Sequence, residues 1–143
     1  MGRVLVVDPD PVQRRALARG LAVALEGQHR IEEEEDGRGA VARVSAGGVD
    51  VLVTEVHLPD VPGWVLLRRL HELDPELPVI AVTADESWET SRLVRVEGGP
   101  VFYYGLKPLD QAELGRVVDC ALRWRCRRAG SGPPPNAREA ASR

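Results

Sequence analysis

A small set of polar residues stands where the apolar segments of this chain end. Two carboxylates, Asp8 and Asp10, follow the first apolar run, and Glu55 ends another. Thr83 ends a further run, and Lys107 lies just beyond the last one. Lys107 is the only lysine among 19 basic residues, so a chain that otherwise uses arginine keeps one compact ammonium charge on a flexible stem. If the fold brings these positions together, they form an acidic pocket with a hydroxyl and a single ammonium.

The segments before these positions have the composition of buried strands. Four of them are rich in apolar residues, as is typical of parallel strands that are covered on both faces: 3–7, 49–55, 78–83 and 101–104. The segment 29–36 holds one aliphatic residue and four consecutive glutamates, so it predicts a poor strand at a sheet edge, where charge discourages aggregation. We therefore expect a sheet of five short strands.

Helical spacing of apolar residues follows each predicted strand. Asp10 is a capping residue at the start of the first helix, and Pro11 suits its first turn. The same spacing predicts the remaining helices over 37–45, 64–73 and 85–97, and from Asp110 onward. Five strand–helix units predict an α/β fold in which a parallel sheet lies between two layers of helices.

A parallel α/β sheet places its functional site outside the carboxyl ends of the strands. The predicted strands deliver six side chains to that edge: Asp8, Asp10, Glu55, Thr83, Tyr104 and Lys107. The candidate site therefore follows from the order of strands and helices, before any motif is considered.

Length and composition indicate one ordinary domain. The 143 residues are 43% hydrophobic and 29% charged, and no apolar run approaches the roughly 20 residues of a membrane-spanning helix. Residues 1–122 hold 13 basic and 21 acidic residues, whereas residues 123–143 hold six and one. We expect a folded domain over 1–128 and a disordered Gly- and Pro-rich tail or linker over 129–143. The chain begins with a strand pattern instead of a secretory signal, which indicates a cytoplasmic protein.

The motifs of this chain, taken in order, resemble the receiver domains of two-component response regulators. The matching pieces are Val-Leu-Val-Val-Asp8, Asp36-Gly37, Val-Asp-Val-Leu-Val-Thr-Glu55 with Leu58-Pro59 and Gly63, Leu-Pro-Val-Ile-Ala-Val-Thr83-Ala84, and Tyr104 three residues before Lys107-Pro108. Together they cover residues 3–126 at fitting spacing. The resemblance implies a flavodoxin-like (βα)5 three-layer sandwich whose five parallel strands have the order 2-1-3-4-5.

The resemblance also implies roles for the residues of the predicted site. In the family, an aspartate that ends the third strand accepts a phosphoryl group from a histidine kinase, and here that position is Glu55. Mg²⁺ would be held by Asp8, Glu55 and the backbone carbonyl of His57. Thr83 and Lys107 would contact the phosphoryl oxygens. A domain of this kind transmits a signal and is not expected to be an enzyme.

Two departures from the family pattern change this expectation. Glu55 has one methylene more than the usual acceptor, and an error of about 1 Å in the attacking oxygen can cost roughly 100-fold in rate. Pro9 replaces the second carboxylate that usually follows Asp8, so Mg²⁺ binding should be weak, although Asp10 could substitute. We therefore expect a pseudo-receiver that signals without phosphorylation. Glu55 is then either a fixed, partial mimic of the phosphorylated state or an inert residue.

The resemblance implies an output face formed by the fourth helix, the fifth strand and the fifth helix. We assign Trp88, Arg92, Arg95 and Tyr104 to this face, because aromatic residues and arginine are enriched in interface centres. In the family the ring at the position of Tyr104 turns inward or outward with the state of the site. The expected partner is a protein, with a histidine kinase and a second copy of the chain left open.

Other functions stay open on the sequence alone. A receiver could retain phosphotransfer, on Glu55 or on a neighbour. An arginine cluster at 123–128 could contact nucleic acid, although no helix-turn-helix follows it. A nucleotide-binding domain would need a glycine-rich phosphate loop after the first strand, where this chain has Asp-Pro-Asp-Pro. The chain could be a free-standing receiver or part of a longer regulator.

Overall fold

Strands and helices alternate along residues 1–131, the part of the chain that our computed structural model describes. The strands are β1 Arg3–Val7, β2 Arg30–Glu34, β3 Val51–Glu55, β4 Val79–Thr83 and β5 Tyr103–Leu106. The helices are α1 Pro11–Ala24, α2 Gly37–Ala46, α3 Gly63–Leu73, α4 Trp88–Arg92 and α5 Gln111–Ser131, and a π-helical turn, Leu93–Glu97, continues α4. The strands are all parallel in the order β2-β1-β3-β4-β5, which confirms the predicted fold class.

The sheet is buried on both faces because alternate strand residues enter two separate cores. Leu5 and Leu52 pack on one face, in a core that α2 and α3 complete. Val6 and Val53 pack on the other face, in a core that α1 and α5 complete. The strand segments are rich in apolar residues because both faces of the sheet are covered by helices, as predicted.

Strand β2 tolerates its glutamates because arginines neutralise them on both faces of the sheet. Glu32 lies 2.8 Å from Arg3 and 3.2 Å from Arg43, which also lies 2.7 Å from Glu34. On the opposite face Glu33 lies 3.2 Å from Arg14. The strand occupies a sheet edge, as predicted, and pairs only with β1 in the described sheet.

The turn that leaves β3 is tight, and this fixes the loop beside the candidate site. The Gly63 amide donates to the Val56 carbonyl at 2.9 Å. A Cβ at Gly63 would lie 2.5 Å from that same oxygen, so only glycine fits without a shift of backbone. The loop 56–62 thus returns on itself directly after Glu55.

The predicted boundaries of β2 and β3 were up to two residues too wide, and two other elements differ in position. The fourth helix begins at Trp88 and not at 85, because the side chain of Ser87 caps it through the Thr90 amide and Asp85 accepts from the Ser87 amide. Strand β5 covers Tyr103–Leu106 and not 101–104, because these residues pair with 80–83 of β4. Lys107 therefore follows the strand directly.

The last helix extends to Ser131, so the first three residues of the predicted tail at 129–143 are helical. The rest of that segment lies outside the described residues. Within residues 1–131, no helix combines the length and the apolar content that a membrane span requires.

Candidate functional site

The ammonium of Lys107 is the centre of the candidate site. Its Nζ donates to Asp8 Oδ2 at 2.9 Å and to Glu55 Oε1 at 3.0 Å. A third bond runs to Gln13 Oε1 at 2.8 Å. The acceptors come from the end of β1, the end of β3 and the first turn of α1. The convergence predicted from the sequence is therefore present for Asp8, Glu55 and Lys107.

Each carboxylate is also held by backbone amides. Asp8 Oδ1 accepts from the Asp10 amide at 2.9 Å. Glu55 Oε2 accepts from the amides of Val56 at 2.7 Å and His57 at 3.3 Å. The Glu55 side chain therefore folds back over the start of its own loop. This bend accommodates the additional methylene group of glutamate. One carboxylate oxygen meets the loop amides and the other meets the ammonium.

The charges of this cluster are largely removed from water. The side chain of Asp8 is 3% exposed, that of Glu55 12% and that of Lys107 16%. Burial by itself would lower the pKa of Lys107, but the hydrogen bonds and charges of Glu55 and Asp8 outweigh it and raise that pKa above its ordinary value. Lys107 therefore stays protonated, and the cluster carries two carboxylates against one ammonium.

Asp10 does not join this cluster. Its Oδ1 accepts from the amides of Val12 at 2.9 Å and Gln13 at 3.3 Å and so caps α1. An N-terminal turn has unsatisfied amides, and an aspartate at this position meets that need first. Its assignment to the acidic pocket was wrong, and the capping role expected from the sequence is confirmed.

Thr83 and Tyr104 lie beside the cluster in a particular arrangement. The buried Thr83 hydroxyl accepts from the Asp85 amide at 3.2 Å, so its observed bond is to its own loop and not to Glu55. The Tyr104 hydroxyl is buried without a hydrogen-bond partner among residues 1–131. Burial, with the Asp85 and Glu55 charges, raises the pKa of Tyr104 against the opposing effect of Arg95. The Tyr104 ring is thus turned inward.

A side-chain hydrogen bond that the sequence did not reveal joins two loops beside the site. His57 Nε2 lies 2.7 Å from Asp85 Oδ2 and joins the β3–α3 loop to the β4–α4 loop. Hydrogen bonds from Thr90, the Ser87 amide and His57 hold the pKa of Asp85 well below its usual range. The family resemblance pointed to the backbone carbonyl of His57, and the structure adds a role for its side chain.

Gln13 is the other contact that sequence reasoning missed. It is an exposed polar residue in the first turn of a helix, a place where polar residues are ordinary. The one signal that could have identified Gln13 is its position five residues after Asp8, in the first turn of the helix that follows β1.

The residues predicted for an output face occur as two stacked pairs. Trp88 is 73% exposed, and the Arg92 guanidinium lies 5.8 Å from its ring centroid. Arg95 lies 5.2 Å from the ring of Tyr104. The neighbouring Val96 and Leu106 are also exposed. This surface joins α4, the π-helical turn and β5.

The basic end of α5 is largely engaged by acidic residues. Arg125 is paired with Asp74, and its Nη1 lies 3.1 Å from Asp74 Oδ1. Arg128 lies 2.5 Å from Glu76 Oε1. Arg123 lies 2.6 Å from Asp119 on the same helix. Arg123, Arg125 and Arg128 therefore already have anionic partners.

Comparison with known proteins agrees with this architecture. The family model for the response regulator receiver domain matches residues 4–119. The chain belongs to this family. It is 36% identical over 112 residues to the transcriptional regulatory protein TcrA of Mycobacterium tuberculosis and 39% identical over 112 residues to TrcR of the same organism. Each match covers 78% of this chain and 42% of the relative, so the chain spans less than half the length of these regulators.

Solved receiver domains have the same fold. The signal receiver domain of an HD domain-containing protein from Pseudomonas fluorescens Pf-5 gives a TM-score of 0.81 at 25% identity, covering 90% of this chain and 92% of that one. A CheY-like receiver from Methanospirillum hungatei JF-1 gives 0.78 at 23% identity, covering 87% and 96%.

The donor set fits the family's divalent cation poorly. Among residues 1–131, no group of three or more His, Cys, Asp or Glu side chains is placed to hold a metal ion. Asp8 and Glu55, the two carboxylates that the family resemblance assigned to Mg²⁺, both already face the Lys107 ammonium. Pro9 supplies no side-chain ligand, and Mg²⁺ demands near-ideal octahedral geometry.

The ion cluster predicts a stability effect for Lys107→Met. Removing the ammonium leaves two buried carboxylates unpaired, so unfolding at neutral pH should become easier by roughly 2–4 kcal/mol, less than for a pair wholly closed to water. Because the folded pKa is raised, the stabilisation is present below about pH 10.4 and is lost as the pH rises through the folded value. Urea unfolding followed by fluorescence measures this difference.

The matched control is Arg123→Met, which breaks an exposed pair on α5. It should change the free energy of unfolding by no more than about 0.5 kcal/mol. Equal effects of the two substitutions would contradict a structural role for the Lys107 cluster.

Proposed function

We propose that this chain is a pseudo-receiver: a protein-interaction domain with receiver architecture that signals without accepting a phosphoryl group. One observation carries the proposal. The Glu55 carboxylate bonds to the Lys107 ammonium and to the amides of Val56 and His57. A permanent negative group therefore lies at the phosphoacceptor position and already engages the lysine that would contact a phosphoryl group.

The chemistry of Glu55 supports the loss of phosphotransfer. An attacking carboxylate oxygen needs a free approach in line with the incoming phosphorus. One oxygen of Glu55 is held by the ammonium and the other by two loop amides, so attack would require breaking bonds that are already made. The poor fit of the site to Mg²⁺ acts in the same direction. The proposal assigns the chain no catalytic turnover of its own, and a cytoplasmic location.

The state that Glu55 imposes is a partial active state. In favour of an active state, Lys107 is engaged and the Tyr104 ring is turned inward. Against a complete one, the Thr83 hydroxyl bonds to the Asp85 amide. A phosphoryl group carries a charge of roughly −1.5 to −2, whereas the Glu55 carboxylate carries −1. The smaller charge explains why Thr83 is not drawn to Glu55.

The output of this domain is the surface of α4, the π-helical turn and β5. The partner that fits it is a protein with acidic and apolar side chains, because the face presents Trp88, Val96 and Leu106 beside Arg92 and Arg95. A second copy of the chain or a histidine kinase would use the same contacts. The basic end of α5 is a weaker candidate for nucleic acid, since carboxylates already engage three of its arginines.

Retained phosphotransfer is the alternative function. Intact-mass spectrometry after incubation with Mg²⁺ and acetyl phosphate separates the two. We expect no mass gain for the wild type, and gain of one phosphoryl group for Glu55→Asp, whose shorter side chain frees the acceptor oxygen. Glu55→Gln is the negative control, because its amide cannot form an acyl phosphate. A labile phosphoryl group on the wild type would overturn the proposal, and mapping its position would then identify the acceptor.

The output face has its own test. Trp88→Ala should weaken binding of the protein that the wild-type chain recognises by about tenfold or more, the usual effect of losing a central aromatic contact. Val23→Ala is the matched control, because Val23 is a 71% exposed apolar residue on α1. Isothermal titration measures both affinities. Equal affinities for the two variants would place the output surface elsewhere.

A further inference from the structure

The hydrogen-bond capacity of Lys107 is filled. An ammonium has three N–H donors and no acceptor. Within the described residues, its three bonds of 2.8–3.0 Å go to Asp8, Glu55 and Gln13. Two of these acceptors are charged, and the third is a neutral amide oxygen. The side chain of Gln13 must present its oxygen to the ammonium, because its NH₂ group has no acceptor to meet there.

The three acceptors differ in how firmly they hold. A bond between the ammonium and a carboxylate includes the attraction of two opposite charges, which a bond to the neutral Gln13 amide lacks. Asp8 and Glu55 are also fixed by backbone amides, and their side chains are only 3% and 12% exposed. Gln13 is exposed and comes from a helix, not from a strand end. It is therefore the acceptor that can leave the ammonium at the smallest cost.

Gln13 and Lys107 also line a common cleft on the surface of the domain. A cleft of about 500 Å³ lies between α1 and α5, and its lining includes the polar residues Gln13, Lys107 and Asp8 as well as the apolar residues Leu17 and Leu109. Lys107 lines the cleft together with Gln13, whereas Glu55 does not, so a solute in the cleft meets the ammonium beside Gln13.

We infer that Gln13 is a positioning residue that guards Lys107: it completes the shell of the ammonium and keeps it from anions that enter the cleft between α1 and α5. The inference rests on the proposed function, because it explains how the engagement of Lys107 by Glu55 is kept. Because all three N–H groups of Lys107 are taken, an anion that binds this ammonium must displace one acceptor, and the Gln13 amide leaves at the smallest cost.

The single lysine makes this directly measurable. Lysine labelled with ¹⁵N gives one side-chain ammonium signal, whose proton exchange with water reports its hydrogen bonds. Gln13→Leu should speed that exchange by about tenfold, the factor that corresponds to one lost hydrogen bond of a charged group. Gln13→Glu keeps an acceptor and should restore slow exchange. Gln111→Leu is the matched control, because Gln111 lines the same cleft without a described bond to Lys107.

The exchange result decides the positioning role. Faster exchange in Gln13→Leu, with the wild-type rate in Gln111→Leu and Gln13→Glu, supports it. Unchanged exchange in a Gln13→Leu variant with the wild-type thermal midpoint overturns it, as does equal acceleration in Gln111→Leu. No phosphodonor is used, so this outcome is separate from the labelling result that tests the proposed function.

Guarding is measured in the Glu55→Asp background, where acetyl phosphate can transfer its phosphoryl group to the shorter carboxylate with release of acetate. Adding Gln13→Leu should raise the initial labelling rate by about tenfold, because an N–H of Lys107 is then open to the incoming phosphoryl oxygens. Equal rates with and without Gln13 would overturn the guarding role. If Glu55→Asp takes no label, beryllofluoride affinity of the same two variants gives the comparison.

Discussion

One ammonium between two buried carboxylates is the interaction on which this molecule depends. Asp8 follows β1 directly and Glu55 ends the neighbouring strand β3, so the sheet itself brings two like charges to one edge. Lys107 reaches them from β5, on the far side of β4. The flexible stem of a lysine can span that distance and end in a compact charge that three acceptors surround. In a chain whose other 18 basic residues are arginine, the cluster gives this lysine a physical reason.

Much of this arrangement could be predicted because it follows from local patterns. Apolar runs that fill both faces of a strand require a covered parallel sheet, and such a sheet carries its polar end residues to one edge. Asp10 was harder to predict, because the sequence allowed it either to cap α1 or to join the acidic pocket. The unsatisfied amides of Val12 and Gln13 lie closest to it, so it caps the helix. Strand β5 was misplaced by two residues because an aromatic run has no clear boundary, and pairing with β4 sets it. The bond between Gln13 and Lys107 and the bond between His57 and Asp85 depend on the directions of side chains across loops. The spacing of residues along the sequence does not encode these directions.

In the pseudo-receiver that we propose, the fixed carboxylate of Glu55 takes the place of a reversible phosphoryl group. A phosphoryl group arrives and leaves, whereas the carboxylate of Glu55 is permanent and needs neither donor nor metal. The inward ring of Tyr104 and the bonded Lys107 agree with a domain held near its active state, and the separate bond of Thr83 agrees with a smaller charge than phosphate provides. Under this proposal, regulation acts through the amount of the protein or through partners at its output face, and not through phosphotransfer.

The central claim is that the charge of Glu55 holds the domain in an active geometry. Backbone amide NMR spectra test it most directly, with three samples compared: the wild type, Glu55→Gln, and Glu55→Asp with Mg²⁺ and beryllofluoride. Our account predicts that the signals of the loops after β3 and β4, and of Tyr104, shift from their Glu55→Gln positions toward those of the beryllofluoride sample in the wild type. Wild-type signals that coincide with those of Glu55→Gln would contradict it, because the carboxylate would then have no effect on the state of the domain.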